Sequence, residues 1–339
     1  MFSLVVEGTD KAVQAGADES LLDACLSRSV PLPYNCRSGE CGECLARLVS
    51  GEVHELPGAD PAVYSDAMRS EGMILTCMCF ARSDVVISVP LRDGGDPRIT
   101  EFDAVIENVT WFDERTAKVL MRCPAPVEFR SGQYFEWLVP GTSGPRAYSA
   151  ANACGSSHLE FLVRVHPGGE ISSRLKRHEL ASGDVVSLRG PYGAYAFNPR
   201  DDGNALFVAG GTGLAPVKSI VEAALQARST RPMVVFYGAR NRSELQCAQA
   251  LSQWAAEHRQ LRFVPVLSEE PADSAWTGRR GTVIDAMKEE LGESFGAQAY
   301  LCGPPVVIEL ATALLERQGV FRADIYCDKF VPAMSREGA

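Results

Sequence analysis

No apolar run in this chain of 339 residues approaches the roughly 20 residues that a helix needs to cross a bilayer. Membrane insertion is therefore not expected. Met1 to Asp10 carries Glu7 and Asp10 but no basic stretch ahead of an apolar one, so it does not read as a secretory leader. Positive charge is in deficit: 33 Lys and Arg face 43 Asp and Glu, giving a formal net charge of −10 and a pI of about 5.1. A phosphate backbone wants a basic face, so nucleic acid is not an expected partner, whereas a basic patch on another protein is allowed. Internal repeats and low-complexity tracts are also missing. What remains is 46% hydrophobic and 22% charged residues, an ordinary globular composition with room for two or three domains.

Cysteine is plentiful, with 11 in the chain. Three stand together as Cys36, Cys41 and Cys44, spaced C-x4-C-x2-C, and Cys77 follows alone in Leu-Thr-Cys-Met-Cys. This is the plant-type spacing for a [2Fe–2S] cluster held by four thiolates. Structural zinc is the competing use, but it favours two short C-x2-4-C knuckles, which this stretch lacks. Gly39 and Gly42 permit tight turning and close backbone approach to an inorganic core. Ser38 adds little bulk and leaves N–H groups to point at sulfur. The fourth ligand is ambiguous, because on one strand Cys77 and Cys79 would face the same side; Cys77 is preferred. Cys25, Cys79, Cys123, Cys154, Cys247, Cys302 and Cys327 are scattered singly, as in a reducing cytosol, so a cytoplasmic location is expected.

Three domains are expected. Residues 1–92 alternate short strands (Phe2 to Val6, Cys44 to Val49, Met73 to Cys79, Val85 to Val89) around one helix from Ser20 to Arg28, with Ser20 as N-cap. That pattern with a metal loop suggests a β-grasp. Arg92 to Arg98 forms a polar linker rich in turn formers. Residues 99–200 read as an antiparallel β-barrel with one helix at Glu170 to His178. Residues 201–339 alternate strands and helices, the pattern of a doubly wound parallel sheet. The fold class is thus multidomain, α+β followed by α/β.

Several short motifs could carry chemistry. Gly210-Gly-Thr-Gly213 closes an apolar strand and opens a helix, so a diphosphate could approach the backbone there and meet the helix N–H donors. It is not the G-x-G-x-x-G fingerprint, and a plain turn is the bland alternative. In Arg146-Ala147-Tyr148-Ser149 the arginine can clamp a phosphate, Tyr148 can pack on a flavin, and Ser149 can hydrogen-bond near its N5. Arg164-Val165 and then Gly168-Gly169-Glu-Ile-Ser172-Ser173 suggest a second anion site. Cys302-Gly303-Pro304 ends the last long strand, where the crevice of such a sheet lies; a thiol there could touch a nicotinamide, or simply be buried. Phe330 could cover the flavin or only close the core.

Taken together these stretches resemble one family. The four cysteines match plant-type ferredoxins. Arg146 to Ser149, Gly169 to Ser172, Gly210 to Gly213 and Cys302-Gly-Pro are similar to the ferredoxin–NADP reductase superfamily. The order cluster, flavin, nicotinamide looks like the reductase components of bacterial aromatic oxygenases, with toluene and xylene monooxygenase reductases the nearest in motif. The resemblance implies FAD rather than FMN, because in FMN relatives the cluster domain comes last. By carry-over, Arg146, Ala147, Tyr148, Ser149, Arg164, Val165, Gly168, Gly169, Ser172 and Ser173 would hold FAD. Gly210, Gly211, Thr212, Gly213, Tyr237, Gly238, Arg240, Cys302, Gly303 and Pro304 would lie along the dinucleotide, with Ser149 and Cys302 shaping the hydride contact and Phe330 at the flavin. Arg240 could recognise a 2′-phosphate and Glu244 a free 2′-hydroxyl; the resemblance implies NADH ahead of NADPH. The expected activity passes electrons from NADH through FAD and a [2Fe–2S] cluster to a separate oxygenase or hydroxylase, directly or through a ferredoxin. The alternatives are a sugar-deoxygenating enzyme or a quinone as acceptor, or a redox-sensing protein.

Overall fold

A computed structural model describes residues 1–9, 12–89, 98–193, 197 and 203–331. It divides into two compact units that part between Ile99 and Thr100. Apart from Arg98, the expected linker lies outside the described residues.

In the first unit, five strands form a sheet in the order Ala12–Ala15, Phe2–Val6, Val85–Ser88, Leu45–Ser50, Met73–Leu75. Phe2–Val6 and Val85–Ser88 run parallel at its centre, and their neighbours are antiparallel. The helix Leu21–Ser27 buries Leu21, Leu22, Ala24 and Cys25. Ser20 starts it, its hydroxyl accepting from the Asp23 N–H at 3.1 Å, a cap that satisfies one orphan donor. The strand expected from Met73 to Cys79 is instead two. Met73–Leu75 stays in the sheet, whereas Cys79–Ala81 pairs with Val53–Glu55 in a separate ribbon. Thr76 still pairs with Cys44, its N–H and hydroxyl both donating to the Cys44 carbonyl at 3.1 and 3.2 Å, and the chain then turns, the Met78 N–H donating back to the Leu75 carbonyl. The short helix Asp66–Ser70 was not expected.

The second unit begins with six antiparallel strands in the order Arg146–Ser149, Tyr134–Leu138, Val185–Tyr192, Thr100–Trp111, Thr116–Arg122, His158–Arg164. A bridge from Ala150 to Phe161 links the two edge strands, nearly closing a barrel and leaving little free edge. Its interior packs by aromatic edges, with Trp137 and Phe161 5.1 Å apart at 80°. A parallel sheet follows in the order Arg279–Arg280, Leu261–Leu267, Met233–Ala239, Ala205–Gly210, Gln298–Gly303, Ile325–Lys329. Ala205–Gly210 and Gln298–Gly303 are buried throughout, as expected for central strands covered on both faces. Helices Leu214–Gln226 and Ala248–Glu257 cover one face, Val283–Glu290 and Pro305–Arg317 the other. Phe207, Tyr300 and Tyr326 stack across three adjacent strands at 5.2 and 5.1 Å. The strand order reverses between Ala205–Gly210 and Gln298–Gly303, so a ligand crevice belongs at their carboxyl ends.

Candidate functional site

The first site is the thiol loop. Gly39 (φ +82°) and Gly42 (φ +75°) sit in the left-handed region, and a Cβ on Gly42 would come within 2.6 Å of Val63. Only glycine fits both the backbone and the space. The sulfurs gather as two pairs. Cys44 Sγ lies 3.2 Å from Cys77 Sγ. The Cys36 N–H donates to Cys41 Sγ at 3.5 Å, while the N–H groups of Ser38 and Glu40 each donate to Cys36 Sγ at 3.4 Å. The hydrogen bond from Cys41 pulls the Cys36 thiol down to about 5, against burial and with help from Ser38 and Glu40. Cys77 likewise lowers Cys44, and within each pair the partner thiol, Cys41 or Cys77, is pushed up by the same hydrogen bond and by burial, so each pair shares one proton until a metal displaces it. Thiolates are the ligand form. Among the described residues, no group of three or more His, Cys, Asp or Glu is gathered for a single ion. Two thiol pairs suit the two irons of a [2Fe–2S] centre. The residues therefore fit a [2Fe–2S] cluster. Cys79 is fully buried on its separate strand, and burial pushes its thiol up to about 12; Cys77 is the thiol that stands beside Cys44.

The second site is on the barrel. Arg146–Ser149 pairs with Tyr134–Leu138, placing Ser149 opposite Tyr134 and Arg146 opposite Trp137. Ser149 is buried, Ala147 exposed, and the Tyr148 ring lies 4.6 Å from Trp137. Burial holds the Tyr148 hydroxyl well above its ordinary range, so it stays a neutral donor. Arg146 is already engaged: it contacts Glu170 at 2.5 Å and donates to the Gly144 carbonyl at 3.0 Å and the Ser143 hydroxyl at 2.9 Å. Glu170 also accepts from the Ser143 N–H and hydroxyl, which with Arg146 lower its carboxyl. This carboxylate partner was not foreseen. Gly168, with φ +75°, and Gly169 precede the helix Glu170–Lys176, and a Cβ on Gly169 would sit 2.5 Å from the Ser172 hydroxyl. Gly168, Gly169, Glu170 and Ser173 line a surface hollow with Arg174 and Arg177; Ser172 is buried behind it. The Val165 N–H is taken by the Arg115 carbonyl at 2.7 Å. Arg164 is not near this group in its contacts. It lies 3.6 Å from Glu244, and its Nη1 is 3.5 Å from where a Cβ on Gly211 would stand. It faces the dinucleotide loop rather than the Arg146 cluster.

The third site is the crevice of the parallel sheet. A Cβ on Gly213 would lie 2.2 Å from the Cys302 carbonyl oxygen, one on Gly210 2.8 Å from Pro304, and one on Gly303 (φ +140°) 2.8 Å from the Gly210 carbonyl. The two loops interlock through bare backbone, with Gly211 and Thr212 half-buried at the rim. Such close approach is what a phosphate-binding strand–helix turn requires. Cys302 is fully buried, 3.8 Å from an Asp328 carboxylate oxygen, and burial with that carboxylate keeps it a thiol. Phe330 is half-buried and its N–H donates to the Gly303 carbonyl at 2.9 Å. Gly238 pairs with Gly210. Tyr237, expected at the ligand, is fully buried and donates to the Glu244 carbonyl at 3.2 Å; it supports the site from behind. Arg240 donates to Glu244 from Nε at 3.0 Å and from Nη2.

Between barrel and sheet, within this unit, stands a residue the sequence reading passed over. Lys218 is 7% exposed. Its ammonium donates to the Ala151 carbonyl at 2.8 Å and meets Glu160 and Glu222 at 3.3 Å each. The i,i+4 pairing of Lys218 with Glu222 is the only hint of this in the sequence.

A loop of paired thiols, a flavin-type barrel and a doubly wound sheet with a glycine cradle define an iron–sulfur flavoprotein reductase. Comparison with known proteins agrees. Residues 4–82 match the 2Fe-2S iron-sulfur cluster binding domain, residues 106–197 the oxidoreductase FAD-binding domain, and residues 207–313 the oxidoreductase NAD-binding domain. The chain is 32% identical to the phenol 2-monooxygenase reductase component DmpP of Pseudomonas sp. (strain CF600), over 99% of this chain and 96% of that protein. It is 31% identical to the xylene/toluene monooxygenase electron transfer component XylA of Pseudomonas putida, over 92% of this chain and 89% of that one. The crystal structure of the Amycolatopsis cytochrome P450 reductase GcoB superposes with a TM-score of 0.86 at 32% identity, covering 98% of this chain and 99% of that one. The chain belongs to the family of reductase components of oxygenase systems, carrying a [2Fe–2S] cluster, FAD and a nicotinamide cofactor. No helix among the described residues is long and apolar enough to cross a membrane.

Proposed function

We propose that this reductase draws electrons from NADH, in preference to NADPH, and delivers them singly to a separate oxygenase that acts on an aromatic hydrocarbon. The observation that carries the electron path is that one chain holds both two thiol pairs and a flavin and dinucleotide framework. FAD, when bound, supplies the conversion of a hydride into single electrons that a one-electron cluster can accept. The protein's part is placement. Cys36, Cys41, Cys44 and Cys77 ligate the cluster, and the Ser38 and Glu40 N–H groups beside Cys36 stabilise negative charge on sulfur. Tyr148 and Ser149 orient the flavin as neutral donors, and Arg146 with Gly169 and Ser172 receives its diphosphate. The Gly210–Gly213 and Cys302–Pro304 loops seat the dinucleotide, and buried Cys302 backs that seat without carrying charge. Phe330 and the rim residues exclude water.

The relatives act with different terminal partners: a phenol monooxygenase, a xylene/toluene monooxygenase, a cytochrome P450. The aromatic partner is favoured by the first two and by the motif likeness. Scattered single thiols favour a cytoplasmic setting. Anaerobic titration of the holoprotein with NADH and with NADPH, following flavin and cluster absorbance together, tests the core of this reading. NADH should bleach both chromophores in sequence; bleaching of flavin alone would break the proposed path.

A further inference from the structure

At the nucleotide edge of the parallel sheet lies a charge cluster that the electron path does not use. Glu244 sits on the turn Arg242–Glu244 just beyond the strand Met233–Ala239 and is only 9% exposed. Tyr237 pins it from below through the Glu244 carbonyl. Its carboxylate faces two guanidinium groups. Arg240, from the sheet, binds both carboxylate oxygens, and Arg164, from the barrel, approaches one of them at 3.6 Å. Arg164 also borders Gly211 of the dinucleotide loop. Two more acids bear on Arg240: Glu269, whose N–H donates to the Arg240 carbonyl at 2.7 Å, and Asp113 from the barrel. Desolvation opposes the charge on Glu244, yet the two arginines hold its carboxyl below the ordinary range.

We propose that Glu244 sets the dinucleotide choice: by holding Arg240 and Arg164 together, it withholds both cations from a 2′-phosphate and so excludes NADPH. This rests on the reading that the Gly210–Gly213 loop seats the dinucleotide. A 2′-phosphate brings nearly two negative charges to a place where the Glu244 carboxylate already binds one arginine and approaches the other. It is recognised through a free guanidinium fork, and here the Arg240 fork is occupied. An unphosphorylated ribose brings no such charge and can donate its 2′-hydroxyl to Glu244.

The test measures binding of adenosine 2′-monophosphate to the holoprotein by calorimetry, together with the ratio of kcat/KM for NADPH to that for NADH. In Glu244→Gln, which keeps shape and removes charge, adenosine 2′-monophosphate should bind about tenfold more tightly and the ratio should rise to match, the scale of one charge-assisted hydrogen bond. In Glu244→Gln combined with Arg240→Gln, both gains should disappear. Unchanged affinity for the 2′-phosphate in the single variant, or a gain that survives loss of Arg240, would overturn the inference while NADH turnover left the functional reading standing. A wild-type holoprotein that NADH does not reduce would bring down the functional reading itself and this inference with it.

Discussion

Lys218 offers a direct test of how firmly the barrel and the parallel sheet must be joined for hydride transfer. Its ammonium is bound by one barrel carbonyl and by one carboxylate from each side, Glu160 on the barrel and Glu222 on the helix that leaves the glycine loop. The neighbouring Ser219 hydroxyl adds a bond to the Asn152 carbonyl at 2.6 Å. Replacing Lys218 by Met keeps the stem and removes the charge. Two carboxylates then face each other and the Ala151 carbonyl loses its donor. Removing one partner of a buried ion pair costs about 3–5 kcal/mol. Both glutamate side chains are 24% exposed, so water relieves part of this, leaving about 2–4 kcal/mol. For a unit of this size that is a fall in melting temperature of roughly 5–10 °C, read by tryptophan fluorescence of the holoprotein. Burial opposes the charge on Lys218, but Glu160 and Glu222 outweigh it and raise its pKa. Its stabilisation is therefore complete below the unfolded lysine pKa and is lost only as pH rises through the raised folded value. The deficit of Lys218→Met should thus be constant between pH 6 and 9, taken as about the range below the ordinary lysine pKa. Flavin reduction by NADH in stopped flow should slow at the same time, because the seat of the nicotinamide would shift against the flavin barrel. A variant that melts with wild type and transfers hydride at the wild-type rate would refute the argument.

Cys41→Ser should abolish cytochrome c reduction while flavin reduction by NADH persists; survival of both activities would show that electrons take another route. Ser149→Ala should slow flavin reduction about tenfold, the effect of one lost hydrogen bond, with little change in the Kd for NADH; an equal rate in stopped flow removes Ser149 from the hydride step. Glu170→Gln frees Arg146 from its carboxylate, so FAD should bind several-fold more tightly by fluorescence titration, and weaker binding would mean that Glu170 builds the site. Gly42→Ala introduces a left-handed alanine at a cost of about 1–2 kcal/mol and presses on Val63. The ratio of cluster to flavin absorbance should fall, and an undiminished ratio would show that the loop has slack.

The layers of the fold were legible because each has its own signature. Ser20 before a helical stripe, alternating barrel strands and the apolar strand expected over Ala205 to Ala209 all formed, the last running one residue further to Gly210. The C-x4-C-x2-C loop was legible from spacing, whereas spacing left the choice between Cys77 and Cys79 open. The stretch from Met73 to Cys79 misled because Cys77 and Cys79 imitate strand alternation; the turn closed by the Met78 N–H on the Leu75 carbonyl breaks it. Arg164, the last residue of a barrel strand, shows a neighbour that sequence order hides: the direction in which a strand end points depends on the element it meets, here Glu244 of the parallel-sheet region. Glu170 and Lys218 were missed because a charged side chain on a helix reads as solvated until its partners, 24 and 58 residues away, are seen.

The interlocked turns at the sheet edge have a consequence for how this reductase can diverge. Where Gly213 and Gly303 meet the opposing main chain, even a methyl group has nowhere to go, so that cradle is open to almost no variation and offers no handle for discriminating one coenzyme from another. Any retuning toward a different electron donor has to arise at the periphery, in side chains that never touch the reacting ring.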